Sequence, residues 1–298
     1  MSDKNLKPVV MALGYFDSVH LGHRKVIETA RKIANENGCS LVVFTFKGNL
    51  KAKLKNADEK CVYLYNEREI LLKEVGADEI YFAPVDVEFL SLTEMEFLQK
   101  IENSYDVKRF VCGTDYRFGK YGKGNVKTLK DYCEGKDCGV VVVDDFNFGG
   151  EKVSTTLIKS LLTDGKIEKA NFLLGKEYFM TGTVFKDRHV GAKMGFPTVN
   201  IPIVNDKFRI KDGVYYGEVA VDGTAYKALI NYGGRPTFSL DEKLVEAFLI
   251  DFNGDLYGKE LTVVFKKRVR DVIKFESEDK LILQIKEDLQ SIKEEIND

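Results

Sequence analysis

The stretch Gly14-Tyr15-Phe16-Asp17-Ser18-Val19-His20-Leu21-Gly22-His23 decides how the first half of this chain is read. Before it, the apolar run Pro8 to Leu13 reads as a buried strand. After it, Val26, Ile27, Ala30, Ile33 and Ala34 recur at helical spacing and predict a helix from Gly22 to Asn37. Two of the chain's three histidines therefore stand where a strand feeds a helix N-terminus. Backbone N–H groups are unpaired there, and the helix dipole favours an anion. Gly22 has no Cβ and lets backbone come close to a ligand. A single histidine at a helix start is ordinarily a cap or a solvated group. Two of them around a glycine, directly after a strand, suit a polyphosphate. Asp17 has two readings: it hydrogen-bonds its own turn, or it orients a histidine or a metal-bound water.

Composition bounds the rest. At 298 residues the chain has room for two domains with sizeable cores. Its 44% hydrophobic and 31% charged residues are those of a soluble globular protein. A net charge of −2 provides no basic field, which argues against a nucleic-acid partner. Met1 to Pro8 lacks the apolar core of a signal peptide, and no apolar run approaches the ~18 residues of a membrane span. The expected setting is cytoplasmic, without a membrane partner. Cys39, Cys61, Cys112, Cys133 and Cys138 are odd in number and form no CxxC, so neither a disulfide framework nor structural zinc is expected.

The first half alternates strand and helix patterns. Strands are predicted at Cys39 to Phe46, Glu79 to Val85, Val107 to Cys112 and Gly139 to Val143. Helices are predicted at Asn66 to Val75, from the capping box Thr93/Glu96 to about Tyr105, and at Lys127 to Glu134. Near-continuous apolar strands between helices mean a parallel sheet covered on both faces, with ligands beyond the carboxyl ends of its strands. Two short helices, Thr155 to Leu162 and Ile167 to Leu174, form the joint. From Tyr178 the rhythm changes to short strands: Tyr178 to Phe185, Gly213 to Val221, Tyr226 to Asn231, Val245 to Phe252 and Glu260 to Phe265. Asp212-Gly213, Asp222-Gly223 and Asn253-Gly254 punctuate them, as in an antiparallel barrel or sandwich. A last helix runs from Ser277, its N-cap, to about Ile296, with Leu281, Ile285, Leu289 and Ile292 as its apolar stripe.

Two further segments carry chemistry. Val111-Cys-Gly-Thr-Asp-Tyr-Arg-Phe-Gly119 is a strand end that becomes a glycine-flanked loop. Tyr116 and Phe118 either face a planar ligand, with Asp115 bonding its polar edge, or turn into the core. Lys120 to Gly124 lacks the Gly-Lys-Ser/Thr ending of a P-loop and reads as a mobile loop that phosphate could order. In Lys152-Val-Ser-Thr-Thr-Leu-Ile-Lys159, N-capping explains one hydroxyl. Three hydroxyls flanked by lysines at a helix start suit a second phosphate anchor.

Together, Gly14 to His23 and Ser154 to Lys159 resemble the two signatures of the nucleotidyltransferase superfamily. Met194-Gly-Phe-Pro-Thr-Val-Asn200, Arg235-Pro-Thr-Phe238, Val245 to Phe252 and Asp255-Leu-Tyr-Gly-Lys259 resemble the signatures of riboflavin kinases. With Gly113 to Gly119, the chain is similar end to end to the bacterial bifunctional riboflavin kinase/FAD synthetase family. The resemblance implies an α/β chain of two domains. Residues 1–177 would be a Rossmann-like parallel-sheet FMN adenylyltransferase domain, and residues 178–298 an antiparallel β-barrel riboflavin-kinase-like domain with a C-terminal helix. It implies AMP transfer from ATP to FMN, giving FAD and pyrophosphate, with Mg²⁺ as cofactor. ATP would lie on Gly14, Phe16, Asp17, His20, Gly22 and His23, and on Ser154, Thr155, Thr156 and Lys159. Flavin would lie near Asp115, Tyr116, Arg117 and Phe118, and in the second half near Arg270. His20 and His23 would stabilise the transferring phosphate, Thr198 and Asn200 would hold the metal, and Glu246 would be the base for the riboflavin hydroxyl.

Departures from the family pattern are as informative. Tyr15 stands where Asn is usual, Ser18 where Gly is usual, and Lys152 and Lys159 where arginines are common. Every charge type survives, so adenylylation is expected. In the loop Phe185 to Lys193, Asp187 replaces a glycine and Ala192 an arginine, while His189 reads as a surface residue. A carboxylate beside ATP phosphates is repulsive, so weak or absent kinase activity is expected. The alternatives are full bifunctionality, a non-catalytic flavin or nucleotide sensor, and transfer to another phosphate ester. A pure binder has no use for His20, His23 and Glu246, and the second-half signatures disfavour another acceptor.

Overall fold

The computed structural model describes residues 6–55, 58–186, 198–234 and 244–297. The loop carrying Asp187, His189 and Ala192, and the Met194–Pro197 and Arg235–Phe238 parts of the signatures, lie outside them. The chain divides into two compact units, Met1–Thr155 and Thr156–Asp298.

In the first unit, β1 (Pro8–Leu13), β2 (Ser40–Phe46), β3 (Glu79–Ala83), β4 (Asp106–Gly113) and β5 (Gly139–Val143) form a parallel sheet in the order β3-β2-β1-β4-β5. The helices between them are α1 (Leu21–Glu36), α2 (Leu50–Lys55), α3 (Tyr65–Glu74), α4 (Val87–Leu90), α5 (Glu94–Glu102) and α6 (Val126–Cys133). β1 is buried from Val9 onward, as its apolar sequence requires for a strand covered on both faces. One core cluster gathers Met11, Leu13, Phe44, Phe97, Phe110 and Phe118. The strand order reverses direction between β1 and β4. Their carboxyl ends therefore open the crevice in which sheets of this kind bind ligands. The loops starting at Gly14 and Thr114 both leave from that edge.

One expectation changes here. Cys133, the last residue of α6, is disulfide-bonded to Cys138, with Cα atoms 5.3 Å apart. Residues 134–137 turn back on themselves and bring the pair together, which an odd cysteine count does not reveal; Cys39, Cys61 and Cys112 are buried and not disulfide-bonded. Within the loop that starts at Lys120, Lys120–Gly122 forms a 3₁₀ turn. Its base is pinned by paired hydrogen bonds between Phe118 and Gly124 and by Lys120 N–H donating to the Leu92 carbonyl at 2.7 Å. A hairpin of β6 (Asn147–Phe148) and β7 (Glu151–Lys152), turned by left-handed Gly149 and Gly150, leads to α7 (Thr155–Thr163).

The second unit contains α8 (Ile167–Leu174), which lies against β8 (Tyr178–Thr183) and β13 (Glu260–Arg270). With β9 (Thr198–Pro202), β10 (Gly213–Val221), β11 (Thr224–Gly233) and β12 (Leu244–Leu249), these strands make an antiparallel sheet ordered β8-β13-β10-β11-β12-β9. Its edges meet, because Phe185 N–H, just past β8, donates to the Asn200 carbonyl of β9 at 3.0 Å. A Cβ on Gly182 would run into Ile201, so that glycine permits the closure. The C-terminal helix α9 (Glu278–Asn297) is capped by Ser277, whose Oγ accepts from Lys280 N–H at 3.3 Å. Ile285, Leu289 and Ile292 pack on Val214 and Leu229.

Candidate active site

The site is built on the turn between β1 and α1. His20 is the N-cap of α1, and its Nδ1 accepts from His23 N–H at 3.2 Å. That bond satisfies one orphan donor of the helix. The two imidazoles stack with centroids 3.7 Å apart and planes 14° from parallel. Gly22 makes the stack possible: a Cβ there would lie 3.0 Å from His20 Cε1. Its missing side chain thus admits a histidine ring, where the sequence suggests close backbone approach to a ligand. Phe16 adopts φ +49 and sets its ring edge-on to His23 at 5.3 Å. Gly14 is glycine because a Cβ would lie 2.6 Å from that ring.

Both histidines are neutral. Burial pushes His20 down to about 4, with the Lys152 charge acting in the same direction. Burial also lowers His23 well below 6.5, reinforced by His20, Lys51 and Lys152. His23 Nδ1 is buried with no hydrogen-bond partner among the described residues. The imidazoles therefore carry no formal charge, and the positive charge beside them comes from Lys152. Lys152 lies 2.9 Å from Asp115 Oδ2 and 2.9 Å from Asp145 Oδ1, which hold it protonated.

Asp17 is buried, and its Oδ1 accepts from Val62 N–H at 3.1 Å, so it ties the loop to the segment before α3. Tyr15 does the same through its hydroxyl, 3.5 Å from Cys61 Sγ, and burial raises its pKa far above the usual value. Ser18 is fully buried, with Oγ 3.0 Å from Thr155 Oγ1. Thr155 is buried, Ser154 and Lys159 half-buried, and Thr156 exposed in the first turn of α7. On the neighbouring loop, Asp115 and Arg117 are exposed. Phe118 is packed between Phe97 and Tyr116, so the core-facing reading holds for it, and Tyr116 is half-buried against the same cluster. Sequence reasoning missed Arg68 and Thr45, both buried against the loop. The charged run Asn66-Glu-Arg-Glu69 looks like a solvated helix face and gave no signal.

In the second unit, Asn200, Glu246 and Asn231 are direct partners across β9, β12 and β11 and so share one face. Asn231 Nδ2 donates to Glu246 Oε2 at 3.2 Å. Thr198 and Asn200, two apart on β9, also share a face. Arg270 is engaged elsewhere: its Nε and Nη2 grip Asp288 of α9 at 2.8–3.0 Å.

Fold and site define a two-part enzyme, a nucleotidyltransferase-type α/β unit followed by a riboflavin-kinase-type barrel. Family models agree: FAD synthetase matches residues 2–157 and riboflavin kinase residues 174–296. The chain belongs to the bifunctional riboflavin kinase/FMN adenylyltransferase family. A relative of that name from Bacillus subtilis is 36% identical over 286 residues, covering 94% of this chain and 90% of the relative. One from Listeria monocytogenes is 34% identical over 284 residues, with the same coverage of 94% and 90%. A solved structure from Streptococcus pneumoniae, described as a macrolide-efflux protein, superposes with a TM-score of 0.85 at 33% identity, covering 95% of this chain and 93% of that one. Among the described residues here, no helix is long and apolar enough to cross a membrane.

Proposed function

We propose that residues 1–177 transfer AMP from ATP to FMN. A phosphate oxygen of FMN forms a bond to the α-phosphorus as the α–β bridging bond breaks and pyrophosphate leaves. Catalysis of such a transfer is mostly alignment and charge stabilisation. The stacked His20–His23 pair at the start of α1 carries the reading, because it sets two imidazoles at a helix N-terminus, where the dipole favours an anion. Neutral imidazoles donate N–H bonds to the phosphates and gain protons as the anion's field raises their pKa. Lys152 supplies fixed positive charge, exchanging its carboxylate partners for phosphate.

Mg²⁺ fits both halves in different ways. Among the described residues no cluster of three or more His, Cys, Asp or Glu could hold a metal, so in the adenylyltransferase the phosphates themselves would be its main ligands. In the barrel, the hydroxyl of Thr198 and the amide oxygen of Asn200 are hard donors on one face, beside Glu246. When bound, Mg²⁺ neutralises phosphate charge.

For residues 178–298 we propose weak riboflavin phosphorylation, limited by Asp187 and Ala192 at ATP docking. Full bifunctionality is the second reading, favoured by the relatives' names and by the Asn200–Glu246 pairing. Offering riboflavin and FMN separately with ATP and Mg²⁺, and separating the flavins by chromatography, decides between them. FAD from FMN alone supports the first reading, comparable turnover of both supports the second, and no product contradicts both.

A further inference from the structure

We propose that Arg68 is a positioning residue for the histidine pair, acting through the Tyr15 carbonyl and the ring of Phe16. The proposal rests on the reading of this loop as the phosphate site. Arg68 is 1% exposed, in the first half of α3. Its Nη1 donates to the Tyr15 carbonyl at 3.0 Å and to Thr45 Oγ1 at 3.2 Å, and its Nη2 donates to the Phe46 carbonyl at 2.6 Å. The guanidinium also lies 5.3 Å from the centroid of the Tyr15 ring. Thr45 Oγ1 donates to the same Tyr15 carbonyl at 2.7 Å.

A buried cation is costly unless hydrogen bonds surround it. This one directs its fork at backbone oxygens on either side of the site, at the end of β2 and at the residue before Phe16. That placement has a purpose, because Phe16 occupies the left-handed region at φ +49. A bulky side chain persists there only when its surroundings over-determine the backbone. Two donors on the Tyr15 carbonyl, one of them charged, fix the peptide that enters Phe16. The Phe16 ring then fills the space over Gly14 and meets His23 edge-on, and His23 stacks on His20. Contact is continuous from guanidinium to imidazole. Lysine cannot replace this arginine, since one ammonium cannot span both carbonyls while lying over a ring.

Arg68→Lys in the full chain is the test, read by steady-state FMN adenylylation and by NMR of the histidine rings. The chain has three histidines, and variants lacking His20 or His23 assign the two signals that matter. Misplacing catalytic groups by a fraction of an ångström should lower kcat by about 10-fold or more, with KM for FMN within about twofold. The His20 and His23 resonances should move. A folded variant with kcat and both resonances unchanged overturns the proposal. Should Arg68→Lys fail to fold, Thr45→Val decides: it keeps the shape and removes one donor to the same carbonyl. It should lower kcat by about threefold and move the same two resonances; unmoved signals overturn the proposal. A wild-type protein inactive on FMN refutes the functional reading instead, and the resonances still decide the role of Arg68.

Discussion

Ser18 Oγ and Thr155 Oγ1 lie 3.0 Å apart in the interior, joining the histidine loop to the first residue of α7 across 137 positions of chain. The family resemblance places glycine at position 18, and a glycine could not make this bond. It commits the Thr155 hydroxyl to the loop. Of the three hydroxyls read as phosphate anchors, Thr155 is therefore the one that ties α7 to the loop. Ser18→Ala should destabilise the protein by about 1–2 kcal/mol, since it strands a buried hydroxyl. Adding Thr155→Val should cost little more, a coupling of roughly 0.5 kcal/mol or above in denaturant unfolding. Strictly additive losses would show that the hydroxyls do not act as a pair.

Protonation supplies a second expectation. His20 is held down at about 4 and His23 well below 6.5, both chiefly by burial. The unfolded chain binds these protons at higher pH than the folded one does. The stability they contribute is therefore complete above about pH 6.5 and is lost as pH falls toward 4. A bound polyphosphate reverses the balance, so ATP binding near pH 6.5 should take up protons. Calorimetry in two buffers of different ionisation enthalpy measures this. Buffer-independent heats would contradict the neutral-histidine account.

Much of this was legible in the sequence, and the remainder has physical reasons. β1, β5, α8 and β10 match their predicted bounds because apolar runs or helical spacing end at clear breaks. The capping box at Thr93 and Glu96 forms with both bonds in place. The short helices α2 and α4 escaped, since four to six residues carry too little periodicity to separate from loop. The hairpin β6–β7 announces itself only by Gly149-Gly150, a two-residue turn signal. The histidine pair was visible because its chemistry is local. The role of Arg68 and the bonds of Thr45 and Ser18 were not, because their partners are distant in sequence.

Arg270 was read as a flavin contact and is found gripping Asp288, which is 3% exposed in its side chain. Removing the acceptor should loosen α9 from the barrel. Asp288→Asn should lower stability by about 1–3 kcal/mol, with the second unit unfolding first in a denaturant titration. An unchanged midpoint would mean that the pair is spectator to the packing of Ile285, Leu289 and Ile292.

Riboflavin phosphorylation should be slow. In the proposed reading one charge-assisted phosphate contact is lost, which costs roughly 1.5–3 kcal/mol, and a carboxylate at position 187 would add repulsion. The rate from riboflavin should fall about 10²–10³-fold below that of FMN adenylylation. Asp187→Gly with Ala192→Arg should raise it, measured as FMN and FAD formed from riboflavin. Equal rates in the wild type would restore full bifunctionality.

If the proposed function holds, AMP transfer to FMN takes place at the His20–His23 pair. The most direct measurement incubates the purified protein with FMN and MgATP and quantifies FAD and pyrophosphate together, beside a variant carrying His20→Ala and His23→Ala. The account predicts equimolar FAD and pyrophosphate from the wild type. It also predicts turnover lower by about 10²-fold or more in the double variant, with smaller changes in flavin affinity. No FAD from FMN, or near-normal turnover in the double variant, would contradict it.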